Sequence, residues 1–348
     1  MKKTTITPRT KNFAFLLFSF SVMLWMGGAP FSFTWFSSLG MVALSVSRFY
    51  GVRHPIPFPE IFLFLYRFSF EYFFQGLGYL KTPAFDEALY MFDRNFGYFE
   101  LTLMKLVHQS PLMFNFLRVT YLSFTFVEVL VYFALPVTIR RTYAIAVALG
   151  VAIIFFYLVC PGAGPVYSLI TTVSDLQVPP SITHPHVRIL HDVALNACSS
   201  GHVTWALLMF WFARRYSKRL LQILSGVFLA LTCLATLGLG EHFVIDLVVA
   251  VPFAAAIWAL VHGQLRLAII SMVSVLAWLV ALRQGWALAV PPALAWILTG
   301  MTISCFTLYT PSPRRSALGS ARWVPAPSLG RPGVLSGAPL PSPSNYRS

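Results

Sequence analysis

The chain has 348 residues, of which 57% are apolar, 16% aromatic and only 10% charged. A soluble domain carries roughly 25% charged residues, so a soluble fold is excluded and an all-α integral membrane protein is expected. The formal net charge of +14 does not make nucleic acid a partner. The cations lie in short loops and tails, where they set orientation and meet anionic headgroups.

A transmembrane helix needs about 20 apolar residues. The opening "MKKTTITPRTKNFAFLLFSFSVMLWMGGAP" has the basic and apolar regions of a signal peptide but no small-x-small cleavage site. It is read as an uncleaved first span over 13–28. Further spans are expected over 33–48, 119–138, 143–160, 203–213, 220–239, 243–262, 266–283 and 286–308. Segment 59–80 carries Arg67 and Glu71, and reads either as a polar-seamed span or as an interfacial helix, which makes ten spans or eight. Residues 84–117 alternate charged and aromatic positions and are expected to lie on the surface as amphipathic helices. From Pro311 the chain turns to Pro, Ser, Gly and Arg with no acidic residue, which predicts a disordered cytoplasmic tail. The organisation is then N-terminal spans (1–58), a membrane core (59–265), C-terminal spans (266–310) and the tail (311–348).

With ten spans, most of the 25 Lys and Arg collect on one side, including Arg140, Arg141, Arg214, Arg215 and the tail arginines. That side is cytoplasmic by the positive-inside rule, and both termini are expected there. Residues 160–167, 198–202 and 241–246 then converge on the other face. The four cysteines, Cys160, Cys198, Cys233 and Cys305, include no Cys-x-x-Cys pair, so neither zinc spacing nor a disulfide scaffold is supported. Cys233 and Cys305 read as apolar filler. Cys160 and Cys198 adjoin motifs and are chemically able to pair in an oxidising compartment.

Two of the converging clusters carry chemistry. In "CSSGHVTWALLMFW" (198–211), His202 sits in a first helical turn after Ser199, Ser200 and Gly201. Unpaired backbone N–H groups at a helix start hold anions such as phosphate. In "GEHFVIDLVVA" (240–250), His242 and Asp246 are four apart and share a helix face. A carboxylate that accepts from one imidazole nitrogen leaves the other as a nucleophile. A carboxylate inside a span is costly and marks function by default. Taken singly, His202 reads as a snorkelling cap and Asp246 as a packing hydrogen bond. Together on one face they suit phosphoryl transfer through a phosphohistidine.

"SSGH" and "HFVID" resemble the second and third motifs of the type-2 phosphatidic acid phosphatase superfamily, whose second motif usually reads Pro-Ser-Gly-His or Pro-Ser-Leu-His. The superfamily's Lys-x6-Arg-Pro motif is absent. In its place "CPGAGPVY" (160–167) is similar to the Pro-x-x-x-Pro-x-Tyr stretch of the inositol phosphorylceramide synthase branch. "FDEALYMFDRNFG" (85–97) also resembles that branch's Asp-bearing Phe-Gly region. The resemblance spans 84–265 and implies a six-helix core made of 59–80 and the spans from 119 to 263. It implies that His242 attacks phosphorus, Asp246 orients it and His202 protonates the leaving oxygen, while Ser199, Ser200 and Gly201 bind phosphoryl oxygens. Ser199 stands where Pro is usual and Leu195 where an Arg often precedes, so Arg188 or Arg94 is expected to complete the phosphate clamp. Pro161, Pro165 and Tyr167 carry the branch-specific stretch. Tyr167, Trp205 and the aromatics of 84–117 are expected to line the lipid approach.

The expected substrate is phospholipid-like, with a lipid alcohol as acceptor in the transfer reading and water in the phosphatase reading. No cofactor is implied. A metal site at His184, His186, His191 and Asp192, where His-x-His is a plausible ligand pair, competes with a plain polar loop of lone histidines, which is the preferred reading. A transporter using His202, His242 and Asp246 as a proton relay would place ionisable groups at mid-depth, and 220–239 offers none.

Overall fold

Asp246 apart, the helix Val244–Val261 has no polar side, and a helix apolar all round must be surrounded. In the computed structural model it is central, packed on Val137–Gly150, Gly201–Tyr216, Leu265–Arg283 and Pro292–Tyr309. The structure describes residues 83–97, 99–168, 188–189 and 198–309. The expected spans 13–28 and 33–48, segment 59–80, the loop residues His184, His186, His191 and Asp192, and the tail from Pro311 lie outside the described residues.

In chain order the helices are α1 (Asp86–Asp93), α2 (Phe99–Gln109), α3 (Pro111–Leu122), α4 (Phe124–Ala134), α5 (Val137–Gly150) and α6 (Ile154–Val159). They continue as α7 (Pro165–Ser168), α8 (Gly201–Tyr216), α9 (Arg219–Gly238), α10 (Val244–Val261), α11 (Leu265–Arg283) and α12 (Pro292–Tyr309). Strands β1 (Pro83–Ala84) and β2 (Arg188–Ile189) pair antiparallel with Ala84 opposite Arg188. Apart from this two-residue ladder the described architecture is all-α and multi-pass. Among the described residues, four helical stretches are long and apolar enough to cross a membrane: Val137–Val159, α9, α10 and α11. The bent pair α3 and α4 makes a fifth if counted as one span.

Two expectations are corrected. The span placed at 119–138 begins earlier, at Pro111, and bends by 50° between α3 and α4. Ser110 caps its start, accepting the Met113 N–H at 3.4 Å, with Pro111 at the first helical position. The span ends at Ala134, and Pro136 separates it from α5. The next span therefore starts at Val137, not 143. Arg140 folds back to donate to the carbonyls of Phe133 and Leu135, at 2.6 and 3.1 Å, which satisfies the end of α4.

The second correction concerns 84–117. Its acidic residues Asp86, Glu87, Asp93 and Glu100 are buried and do not face a surface. A buried carboxylate needs donors, and for Asp86 and Asp93 these are backbone amides from distant segments. At the far end of the bundle the Tyr216 hydroxyl meets His262 Nε2 at 2.9 Å, tying the C-termini of α8 and α10. Their N-termini, where both motif histidines lie, share the opposite end.

Candidate active site

The start of α8 is a built cap. Ser200 Oγ accepts the Val203 N–H at 3.3 Å, and Thr204 Oγ1 donates to the Ser200 carbonyl at 2.9 Å. A Cβ at Gly201 would stand 2.9 Å from the Trp205 ring and 3.5 Å from the Tyr157 hydroxyl. Trp205 itself is buried, its indole N–H donating to the Val147 carbonyl at 3.1 Å. It therefore anchors α8 on α5, and the expectation that it lines a lipid approach is corrected.

Ser199 is buried with φ +62°, and its Oγ has no hydrogen-bond partner among the described residues. Proline is held near −65° and does not fit this backbone, which accounts for serine at this motif position. Ser199→Pro is expected to lower stability by more than about 1 kcal/mol. Ser199→Gly, which adopts positive φ without strain, should hold it. Thermal midpoints of the two variants in detergent check this; an unshifted midpoint for Ser199→Pro would contradict the backbone geometry.

The start of α10 is organised by Asp246. Its Oδ2 accepts the Phe243 N–H at 2.8 Å and lies 3.5 Å from His242 Nδ1. Both side chains are buried, Asp246 completely and His242 to within 2%. The spacing of four residues thus brings imidazole and carboxylate together as the sequence suggests. What the spacing does not show is the joint between motifs: the Ser200 N–H donates to the Asp246 carbonyl at 3.1 Å. That bond sets the first turn of α8 against the first turn of α10.

His202 is held from a third direction. Its ring stacks on Tyr121 with centroids 4.0 Å apart and 29° between planes, and meets Phe124 edge-on at 5.1 Å. Sequence reasoning missed both aromatics, because their role depends on the bend between α3 and α4.

Residues 160–167 are pinned onto the turn before His242. Asp86 Oδ1 accepts the N–H groups of Ala163 and Gly164, each at 2.9 Å, and Pro161 C=O accepts from Phe85 N–H at 2.8 Å. Burial lifts the Asp86 carboxyl to about 6, against the pull of the Gly164 and Ala163 amides. Gly164 has φ +91°, and a Cβ there would come 2.4 Å from the Glu241 carbonyl oxygen, so only glycine allows this approach. The Val166 N–H donates to the Gly240 carbonyl at 3.1 Å. Pro161 and Pro165 are buried, whereas Tyr167 is half exposed and donates to Glu241 Oε1 at 3.1 Å.

The family model of the PAP2 superfamily matches residues 87–260. The chain belongs to the PAP2 superfamily. The match runs from α1 through α10 and so takes in both histidine motifs; no curated protein and no solved structure matches the chain. This PAP2 protein is accordingly a multi-pass membrane enzyme of the phosphatase or phosphotransferase kind.

Other expected residues fall as follows in the PAP2 protein. Arg188 pairs its backbone with Ala84, two residues before Asp86. Arg94 lies in the 3-10 turn Arg94–Phe96, and the described ring contacts of that turn are Phe96 on Phe92 and on Trp296, not either histidine. Cys160 and Cys198 are free, buried thiols. The hydrogen bond with Cys160, then burial, holds the Cys198 thiol well above its usual range. Among the described residues no group of three or more His, Cys, Asp or Glu is able to hold a metal ion.

Proposed function

We propose that the protein transfers a phosphoryl or phosphodiester group from a phospholipid-like donor, with His242 as nucleophile, Asp246 orienting it and His202 as proton donor. The observation that carries this reading is the bond from Ser200 N–H to the Asp246 carbonyl. It brings the His242–Asp246 pair and the helix start bearing His202 to one place.

With Nδ1 turned to Asp246, Nε2 carries the lone pair that attacks phosphorus. The phosphorus–oxygen bond to the leaving lipid alcohol breaks, and His202 supplies that oxygen's proton. A second alcohol, or water, then attacks the phosphohistidine and gives its proton to His202, and the phosphorus–nitrogen bond breaks to restore both histidines. The N-terminus of α8, with Ser199 Oγ beside it and without a hydrogen-bond partner among the described residues, suits the phosphoryl oxygens. Ser200 and Gly201 would contribute from the same turn.

Transfer in the manner of an inositol phosphorylceramide synthase is favoured over simple hydrolysis. Support comes from the 160–167 loop, which is fastened on the turn before His242 and carries a half-exposed Tyr167. Incubating purified protein with labelled lipid phosphates and phosphodiesters, with and without ceramide or diacylglycerol, tests the reading. A new labelled lipid supports transfer, free phosphate alone supports hydrolysis, and no product from any donor refutes both.

The site is proposed to face the non-cytoplasmic side. Arg140, Arg141, Arg214, Arg215 and Arg266 lie at or near helix ends opposite the motif end, as the positive-inside rule requires of a cytoplasmic face. Single cysteines placed in 176–180 of a cysteine-free variant should react with an impermeant thiol reagent from outside, and those in 215–218 should not. Equal labelling would refute this orientation.

A further inference from the structure

Two carboxyls that the proposed chemistry does not use stand behind the His242–Asp246 pair. Asp93, the last residue of α1, accepts the Val244 N–H through Oδ2 and the Ile245 N–H through Oδ1, the latter at 3.1 Å. With Asp246 on the Phe243 N–H, three successive amides at the start of α10 have carboxylate acceptors. Such groups have no partner within their own helix. Glu100, in the first turn of α2, is hydrogen-bonded to Asp93, and its Oε1 has no hydrogen-bond partner among the described residues.

All three carboxyls are buried, and like charges so placed cannot all ionise. A hydrogen bond between two carboxyls requires a proton on one of them. Asp93 already accepts two backbone N–H groups, which favours its ionised form, so the proton belongs on Glu100. Burial acts in the same direction on both, lifting Asp93 to about 7 and Glu100 well above the usual carboxyl range.

We propose that Asp93 and Glu100 are positioning residues for His242. Asp93 clamps the first turn of α10, and Glu100, donating its carboxyl proton to Asp93, holds the clamp in place. The inference rests on His242 being the nucleophile. Its mechanical route is short: the clamped turn carries Asp246 Oδ2 beside His242. The Asp246 carbonyl of that turn also receives the Ser200 N–H, so a loosened clamp would disturb both histidine-bearing helices. A displacement of about 1 Å at reacting groups costs on the order of 10²-fold in rate.

The test uses the full-length purified protein and two readouts. One is kcat and KM on the labelled lipids above. The other needs no substrate: the nitrogen-15 shifts of labelled His242, assigned by difference from His242→Gln, which report its tautomer. Asp93→Ala and Glu100→Leu are expected to lower kcat on the order of 10²-fold while KM stays nearly unchanged, and to mix the tautomers of His242. Glu100→Gln still donates an N–H to Asp93 and should restore both readouts. The inference is overturned if Asp93→Ala and Glu100→Leu keep wild-type kcat and a single tautomer, or if Glu100→Gln is as impaired as Glu100→Leu. Should Asp93→Ala fail to fold, the contrast between Glu100→Leu and Glu100→Gln decides. If the wild type turns over none of the lipids, the proposed reaction falls, and the tautomer signals alone judge the clamp.

Discussion

Replacing His242 by alanine is expected to lower turnover by roughly 10⁴-fold or more and to leave no acid-labile phosphate on the protein. The proposed route needs a nitrogen that forms a bond to phosphorus, and the His242 imidazole is the ring paired with Asp246. His202→Ala should behave differently. Protonating the leaving oxygen is worth typically 10²–10⁴-fold, and it matters least when that oxygen needs no proton. With an aryl phosphate lipid analogue, His202→Ala should therefore still accumulate trapped phosphate, slowly, while His242→Ala traps none. The Tyr121 and Phe124 rings that hold His202 remain in the variant, so the loss should be chemical and not a collapse of α3 and α4. Trapped phosphate on His242→Ala but not on His202→Ala would reverse the two roles. Full activity in both would show that the histidines are structural.

Asp246→Asn should lower kcat on the order of 10²–10³-fold, the scale of losing one preorganised electrostatic partner, with the fold intact. The structure sets this size. Asp246 Oδ2 serves both the Phe243 N–H and His242 Nδ1, so an asparagine turns its carbonyl oxygen to that side and keeps both contacts. Its amide nitrogen then takes the place of Oδ1, which has no hydrogen-bond partner among the described residues. What disappears is the negative charge that stabilises the imidazole as it takes on positive charge during attack. Asp246→Ala removes the acceptor as well, stranding the buried Phe243 N–H, which costs about 1–3 kcal/mol. It should therefore lose stability where Asp246→Asn does not. Kinetics paired with thermal midpoints check both; an asparagine variant with wild-type kcat would remove Asp246 from the mechanism.

Composition and spacing alone determine a good deal here. A chain 57% apolar and 10% charged has to place its helices in a membrane, because only there does so much apolar surface cost little. Runs such as Arg219–Gly238 and Leu265–Arg283 declare themselves by length. His242 and Asp246 meet because four residues are one helical turn, a local fact that needs no knowledge of the rest of the fold.

The tertiary structure decides the remainder, since it turns on bonds between residues far apart in the chain. An acidic and aromatic alternation such as 84–117 looks the same whether its charges face water or a buried ring of amides. Asp86 and Asp93 face amides at 163–164 and 244–245, and a pattern within one segment carries no information about another. The positive φ of Ser199 is likewise set by the loop's two anchors, the α8 cap and the Ser200 bond to Asp246, not by serine's own preference. The sequence thus names the groups that do chemistry, because periodicity is local. The folded chain alone shows which carboxylates support them, because burying a charge requires donors that neighbouring residues cannot supply.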